Sequence, residues 1–418
     1  MKKGAIIASS IELVSQILTS NTKIKFIISS FFRKNKFAGS KDKNNIKELV
    51  FKFLKNYFTL KAICINNHIK FSDRNAMLLL YFSKNKDKNL NEIYEGRFSI
   101  KPEFEDKRIH SYATSLEHDI IPSLPNWLEE KLSFEFKTKK KNNFESILNE
   151  PRFDIRVNNS VIARDKVSNL LLQNNILSKK TNFSPLGITI EKRVLEKEIK
   201  KIKQNFFEVQ DEGSQIVTIL SGAKSGMRVL DYCAGKGTKT LAIFNEMKGI
   251  GDIYVNDIDE NRLRLLRKRL AFLKIDNEAN TFSDKKKFES YFDLILLDVP
   301  CSGSGIWRRR PESIIRLNKN EYKKNTEIQI DLLNKVVKYC KKGGIISYIT
   351  CSIFKDENEN QIKKFLANNK AFKILDINLI LKNKFNHTNL NSSYKWLTIT
   401  PSFLNSDGFF ICLLKKYA

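Results

Sequence analysis

Apolar positions recur at helical spacing through the first third of the chain and gather into strand-length runs through its second half. In the opening segment, Ile7, Ile11, Val14 and Leu18 fall three or four residues apart, which predicts an amphipathic helix. IKELVFKFLKNYF (46–58) and NAMLLLYF (75–82) read as core-facing helices, so residues 1–136 are expected to form an all-α domain. The polar, basic run KTKKKNNFE (137–145) reads as a linker. Residues 144–208 then mix a strand (DIRVN), a helix (RDKVSNLLLQNNI) and a second strand (GITIEK), enough for a small α/β module. From 209 to 418 four strand-like runs appear: MRVLDY (227–232), DIYVND (252–257), FDLILLD (292–298) and GIISYIT (344–350). Helical segments follow the first three, TKTLAIFNEM, ENRLRLLRKRLAFL and a longer stretch ending near Lys341. Strands alternating with helices predict a parallel, doubly wound, Rossmann-like α/β domain.

Composition narrows the partner. The 418 residues carry 74 Lys+Arg against 46 Asp+Glu, a formal charge of +28. Such an excess suits a polyanion, nucleic acid first and an anionic membrane surface second. The longest apolar run, AMLLLYF (76–82), is too short to span a bilayer, and Ser9, Ser10 and Glu12 interrupt the N-terminal stretch that imitates a signal peptide. None of the six cysteines forms a C-x-x-C pair, so neither a zinc site nor a disulfide framework is expected, and a cytoplasmic protein with reduced thiols follows.

The candidate chemistry lies at the carboxyl ends of the predicted strands, where open α/β sheets bind ligands. Asp231, Asp257, Asp298, Cys233, Cys301 and Cys351 all fall there. The first strand–helix turn reads LDYCAGKGTKT (230–240), with Gly235 and Gly237 permitting a tight turn and Asp257 ending the next strand twenty residues after Gly237. An acid so placed can accept hydrogen bonds from both hydroxyls of a ribose. A phosphate-binding loop would need a glycine where Thr238 stands, and a dinucleotide loop a third glycine at Lys239 or Thr240. An adenosine without a phosphate chain fits best, and S-adenosylmethionine is the obvious one.

Methylating C5 of cytosine requires a thiolate to add at C6, a carboxyl group near N3 and a means of removing the C5 proton. Asp298, Cys301 and Cys351 supply those residue types on two strand ends.

With FFEVQDEGSQ (206–215), LDYCAGKGTKT (230–240), DVPCSGSGIWRRRPE (298–312), Gly343–Gly344 and YITCSIFKDENE (348–359), the chain resembles the bacterial Sun (Nop) family of RNA cytosine-5 methyltransferases, of the ribosomal RNA small-subunit methyltransferase B type. The resemblance implies that Cys351 attacks C6, that Cys301 assists product release, and that Asp298 contacts the cytosine and the cofactor site. It implies a cofactor loop of Cys233, Ala234, Gly235, Lys236, Gly237, Thr238 and Lys239, with Asp257 on the ribose and Asp284 on the adenine. The family loop reads Ala-Ala-Pro-Gly-Gly-Lys-Thr; here Gly235, Lys236 and Thr238 replace an alanine, a proline and a glycine. Residues 1–136 resemble a helical RNA-binding extension of the kind found in transcription antiterminators, and the 144–208 module, with RVN at 156–158, a small RNA-binding domain. Arg308, Arg309 and Arg310 suit phosphate or base contacts. The implied partner is RNA, ribosomal above all, bound by a monomer with no membrane or metal.

Other readings stay open at this level. They are a transfer RNA cytosine-5 methyltransferase, a catalytically impaired ribosome-assembly factor, and a DNA-type enzyme in which Cys301 attacks and Cys351 is idle. An amino-group methyltransferase is disfavoured, because the chain has Asp-Val-Pro-Cys where that chemistry uses an acid or amide followed by Pro-Pro and an aromatic.

Overall fold

A computed structural model of the chain describes all residues except 21, 136–144, 192–198, 200, 201, 203, 204, 273–281, 283–285 and 386–394. The expected linker therefore lies, but for Glu145, outside the described residues. Two compact units are present: Met1–Lys137 with Arg309–Leu317, and Thr138–Arg308 with Asn318–Ala418.

The first unit is helical: α1 (Lys3–Thr19), α2 (Ile24–Lys34), α3 (Ser40–Asn66), α4 (Asp73–Lys84), α5 (Asp106–Ser115) and α6 (Asn126–Glu135). Ile7, Leu13, Val14 and Ile17 of α1 are buried against Ile46, Val50 and Phe53 of α3 and the run Met77–Leu80 of α4. The Ser72 hydroxyl caps α4 by accepting from Asn75 N at 3.1 Å. A short helix from far along the chain, Glu312–Arg316, joins this unit: Ile315 packs on its core, and Arg316 Nη2 donates to Ile17 O at 2.8 Å.

The second unit holds two sheets. The smaller is antiparallel, in the order β2 (Ser178–Lys180), β3 (Gly187–Ile190), β1 (Phe153–Val157), β4 (Phe207–Val209). Helix α7 (Arg164–Gln173) covers it with Val167 and Leu171. The larger sheet is mixed. Its parallel part comprises β5 (Arg228–Asp231), β6 (Asp252–Val255), β7 (Phe292–Asp298) and β8 (Cys340–Thr350), in the order β8-β7-β5-β6. Beyond β8 lies β11 (Phe409–Lys416), antiparallel to it and paired in turn with β9 (Phe372–Ile374) and β10 (Leu397–Ile399).

Alternation along the central strands explains why helices cover both faces. Val229, Leu294, Leu296, Ile349 and Ile411 point to one core, with α8 (Glu212–Leu220), α9 (Thr238–Glu246) and α10 (Glu260–Phe272). Leu230, Ile295, Leu297, Ile346 and Phe410 point to the other, with α11 (Lys319–Val336) and α12 (Glu359–Asn368). A strand buried on both sides reads as a continuous apolar run. Among the described residues no helix is long and apolar enough to cross a membrane, and no cluster of three His, Cys, Asp or Glu could hold a metal.

Candidate active site

Strand register brings the chemistry together. Asp231 pairs with Leu296 and Asp298 with Ile349, so β5, β7 and β8 end beside one another. Tyr232 N continues the ladder to Leu296 O at 3.0 Å, and Val299 N to Ile349 O at 3.1 Å.

After β5 the chain turns sharply. Gly235 and Gly237 have φ of +57° and +80°, the left-handed region that favours glycine. A Cβ on Gly237 would stand 2.1 Å from Leu266 Cδ1, whereas one on Gly235 would face open space. Gly237 N closes the turn on Ala234 O at 2.9 Å, and Gly237 itself caps α9. Asp257, past the end of β6, is buried; its Oδ2 accepts from Gly235 N and its Oδ1 from Asp259 N, at 2.8 and 2.9 Å. Arg262 Nη1 also lies 3.6 Å from Oδ1. A carboxylate offers about four acceptor sites, so roughly one or two remain for ribose hydroxyls. The next residue, Ile258, is 99% exposed beside that acid. The open face at Gly235, the remaining lone pairs of Asp257 and this bare apolar side chain fit an adenosine.

The thiols lie on the adjoining strand ends. Cys301 Sγ and Cys351 Sγ are 3.2 Å apart, and Gly305 N donates to Cys351 O at 2.9 Å to join the two loops. The Cys351 sulfur beside it, together with burial, holds the Cys301 thiol protonated well above the ordinary cysteine range. Lys239, from the first turn of α9, reaches back to Asp298 with Nζ 2.7 Å from Oδ2. Burial opposes its charge, but the Asp298 carboxylate prevails and raises the ammonium's pKa above the usual lysine value. Cys233 lies on the same turn, where burial and the surrounding acids push its thiol up.

Beneath the thiols sits a carboxyl group that the sequence does not single out. Glu357 is fully buried. Its Oε1 accepts from Ser302 N at 2.8 Å and from Gln329 Nε2 at 3.2 Å, and its Oε2 from Ser302 Oγ at 2.5 Å. The Ser352 hydroxyl also bonds to it. Ser302 follows Cys301 and Ser352 follows Cys351, so one carboxyl group holds the loops of both sulfurs. Burial pushes its pKa up, against the serine and glutamine donors. The only sequence signal was the DENE tail of the second cysteine motif.

Residues 217–415 match the family model described as 16S rRNA methyltransferase RsmB/F. Within that segment the chain is similar to the RsmB/F methyltransferases. Among curated relatives, the ribosomal RNA small subunit methyltransferase B of Yersinia enterocolitica is 28% identical over 58% of this chain and 57% of its own. A protein of Bacillus subtilis named as a probable enzyme of that kind is 31% identical over 55% of each chain. Its counterpart in Coxiella burnetii is 28% identical over 64% of this chain and 62% of its own. The chain thus spans a little over half the length of these relatives. Among solved structures, PH0851 superposes over 100% of both chains with a TM-score of 0.76 at 20% identity. NSun6 from Pyrococcus horikoshii, solved with SFG, covers 71% of this chain and 99% of its own with a TM-score of 0.57 at 18% identity. These likenesses extend to the fold.

One expectation changes near the site. Arg308 does not face a nucleic acid: it is 1% exposed, with Nε 2.7 Å from Asp407 Oδ1 and Nη2 3.5 Å from Asp211 Oδ2. Two acids from distant parts of the chain compensate its charge, which permits burial. Arg310 pairs with Glu312 at 3.4 Å. Asp284, expected on the adenine, lies outside the described residues. The motif FFEVQDEGSQ is a junction between the sheets. Glu212 Oε1 accepts from Phe183 N and Ser184 N beside the small sheet, at 2.7 and 3.0 Å, and Asp211 Oδ1 accepts from Asp407 N at 3.0 Å before β11.

Asp231, under the glycine turn, gives a test of the site's electrostatics. Its Oδ2 accepts from Thr240 Oγ1 at 2.6 Å, its Oδ1 has no partner among the described residues, and burial pushes the carboxyl from 3.8 up to about 7. The folded protein therefore keeps a proton that the unfolded chain has released, so this group's stability is full below about pH 4 and lost as pH rises through 7. We expect Asp231→Asn to flatten that slope and narrow the gap between melting temperatures at pH 5 and pH 8. An unchanged gap in thermal melts would show that Asp231 is ionised throughout.

Proposed function

We propose that the protein transfers a methyl group from S-adenosylmethionine to C5 of a cytosine in RNA, small-subunit ribosomal RNA above all, through a covalent bond from Cys351 to C6. The observation that carries this reading is the pair of sulfurs 3.2 Å apart, delivered by two separate motifs to the ends of adjacent strands. A single attacking thiol needs no second one within reach. A second thiol beside it can serve the elimination that follows methylation, in which the attacking sulfur leaves as the C5 proton is lost.

Cys301 stands 3.2 Å from Cys351, where its thiol can give a proton to the departing Cys351 sulfur and, as the thiolate left behind, take up the C5 proton. Asp298, paired with Lys239, is the carboxyl group for the cytosine edge. Bound S-adenosylmethionine supplies the electrophilic methyl group. Cys233, Ala234, Gly235, Lys236, Gly237 and Thr238 would line it, Asp257 would accept from its ribose, and Ile258 would lie against its adenine. In this reading residues 1–136 and 144–208 are RNA-binding, and the charge of +28 makes RNA affinity fall with salt.

The reading is tested by incubating the protein with small-subunit ribosomal RNA and S-adenosylmethionine and mapping 5-methylcytosine by bisulfite sequencing. New 5-methylcytosine is expected, and its absence from every RNA offered would overturn the proposal. Asp257→Asn should weaken S-adenosylmethionine binding by roughly 1–3 kcal/mol, the range for hydrogen bonds to a charged group, with both the Gly235 amide and the ribose losing a carboxylate. Calorimetry checks this; an unchanged affinity would place the ribose elsewhere.

A further inference from the structure

The glycine turn has a second anchor, on the side away from Asp257. Arg269 of α10 donates from Nη1 to Lys236 O at 3.0 Å, and its Nη2 pairs with Glu208 of β4. Leu266, one turn earlier on the same helix, is the side chain against which Gly237 packs. One helix face thus meets two successive residues of the turn. The guanidinium is only partly exposed, as is Glu208, and Glu208 lies opposite the buried Arg156 in the β1–β4 register. Arg156 gives its Nε to Gln210 Oε1 at 2.7 Å, and the Glu208 carboxylate pairs with Arg269.

Lys236 needs such an anchor. It has no ring to fix its φ, and it sits between two glycines in the left-handed region, where backbone freedom is greatest. A planar guanidinium can donate in two directions at once, to a carbonyl and to a carboxylate, which an ammonium does less rigidly.

We infer that Arg269 is a positioning residue for the cofactor turn, holding the Lys236 carbonyl while Glu208 of the small sheet fixes the guanidinium. It touches neither reacting group; it sets the backbone path that receives S-adenosylmethionine. The inference rests on the reading of this turn as the cofactor site.

The full-length protein and three variants separate the possibilities by calorimetric titration with S-adenosylmethionine, thermal melts and methyl-transfer kinetics. Arg269→Ala should weaken cofactor binding about five- to twenty-fold and raise KM for the cofactor, with kcat at saturation little changed. Arg269→Lys, which keeps a cationic donor on a single nitrogen, should recover part of that loss. The charge swap Glu208→Arg with Arg269→Glu should restore the melting temperature lost in Arg269→Ala but not the affinity, because a glutamate cannot donate to a carbonyl. Wild-type affinity in Arg269→Ala, or full affinity in the swap, would overturn the inference. A wild-type protein that binds no S-adenosylmethionine would overturn the functional reading instead.

Discussion

Replacing Glu357 by alanine is expected to abolish methyl transfer and to cost the fold roughly 2–4 kcal/mol. The estimate follows from what the carboxyl group satisfies: the Ser302 amide, the Ser302 hydroxyl and the Gln329 amide all donate to it inside the protein. Buried donors left without an acceptor cost about 1–3 kcal/mol each, and partial rearrangement recovers some of that. The effect on activity has a different origin. Ser302 and Ser352 each sit one residue past a cysteine, so losing their common anchor lets both sulfurs drift. A displacement near 1 Å can cost about 10²-fold in rate. Glu357→Gln separates the two consequences. It keeps Oε1 for the Ser302 amide and nearly the same volume, so its melting temperature should stay close to wild type. Its Nε2 cannot accept from the Ser302 hydroxyl as Oε2 does, so the cysteine loops should shift and methyl transfer fall. Thermal melts alongside rates with saturating RNA and cofactor check this. Full activity in Glu357→Gln would mean that the buried carboxyl serves stability alone.

The parallel core of the larger sheet was legible in the sequence because its signals are local. An apolar run followed by an acid marks a strand end, and Asp231, Asp257 and Asp298 mark three of them. The antiparallel edge was not legible. Strands β9 and β10 are three residues each, too short to show a period, and FFICLLKK of β11 is apolar on both faces. Strand β8 begins at Cys340, before the lysines that made the sequence reading start at 344. The same contrast holds in the site. Cysteines and acids at strand ends stand out, whereas Glu357 is one acid in a charged run and Arg308 reads as a nucleic-acid contact until the fold supplies their partners. Arg308 needs Asp211 and Asp407, each about a hundred residues away, and no local pattern announces such a match.

The second large effect concerns the two thiols, whose roles differ in where the reaction stops. Attack on C6 forms a bond from Cys351 sulfur to the base. Methyl transfer then leaves C5 carrying both the methyl group and its proton, and product leaves only when that proton is removed and the carbon–sulfur bond breaks. With Cys351→Ala no bond to RNA can form, so both product and adduct should vanish. With Cys301→Ala attack and transfer should proceed, but the Cys351 sulfur loses the thiol 3.2 Å away, and the complex should stall as a covalent intermediate. A DNA-type mechanism reverses the pattern, leaving Cys351→Ala active.

The most direct measurement is denaturing electrophoresis of each variant after incubation with small-subunit ribosomal RNA and S-adenosylmethionine. The account predicts a slowly migrating protein–RNA band that survives denaturation in Cys301→Ala and is missing from Cys351→Ala. A band in Cys351→Ala, or full turnover without one in Cys301→Ala, would contradict it.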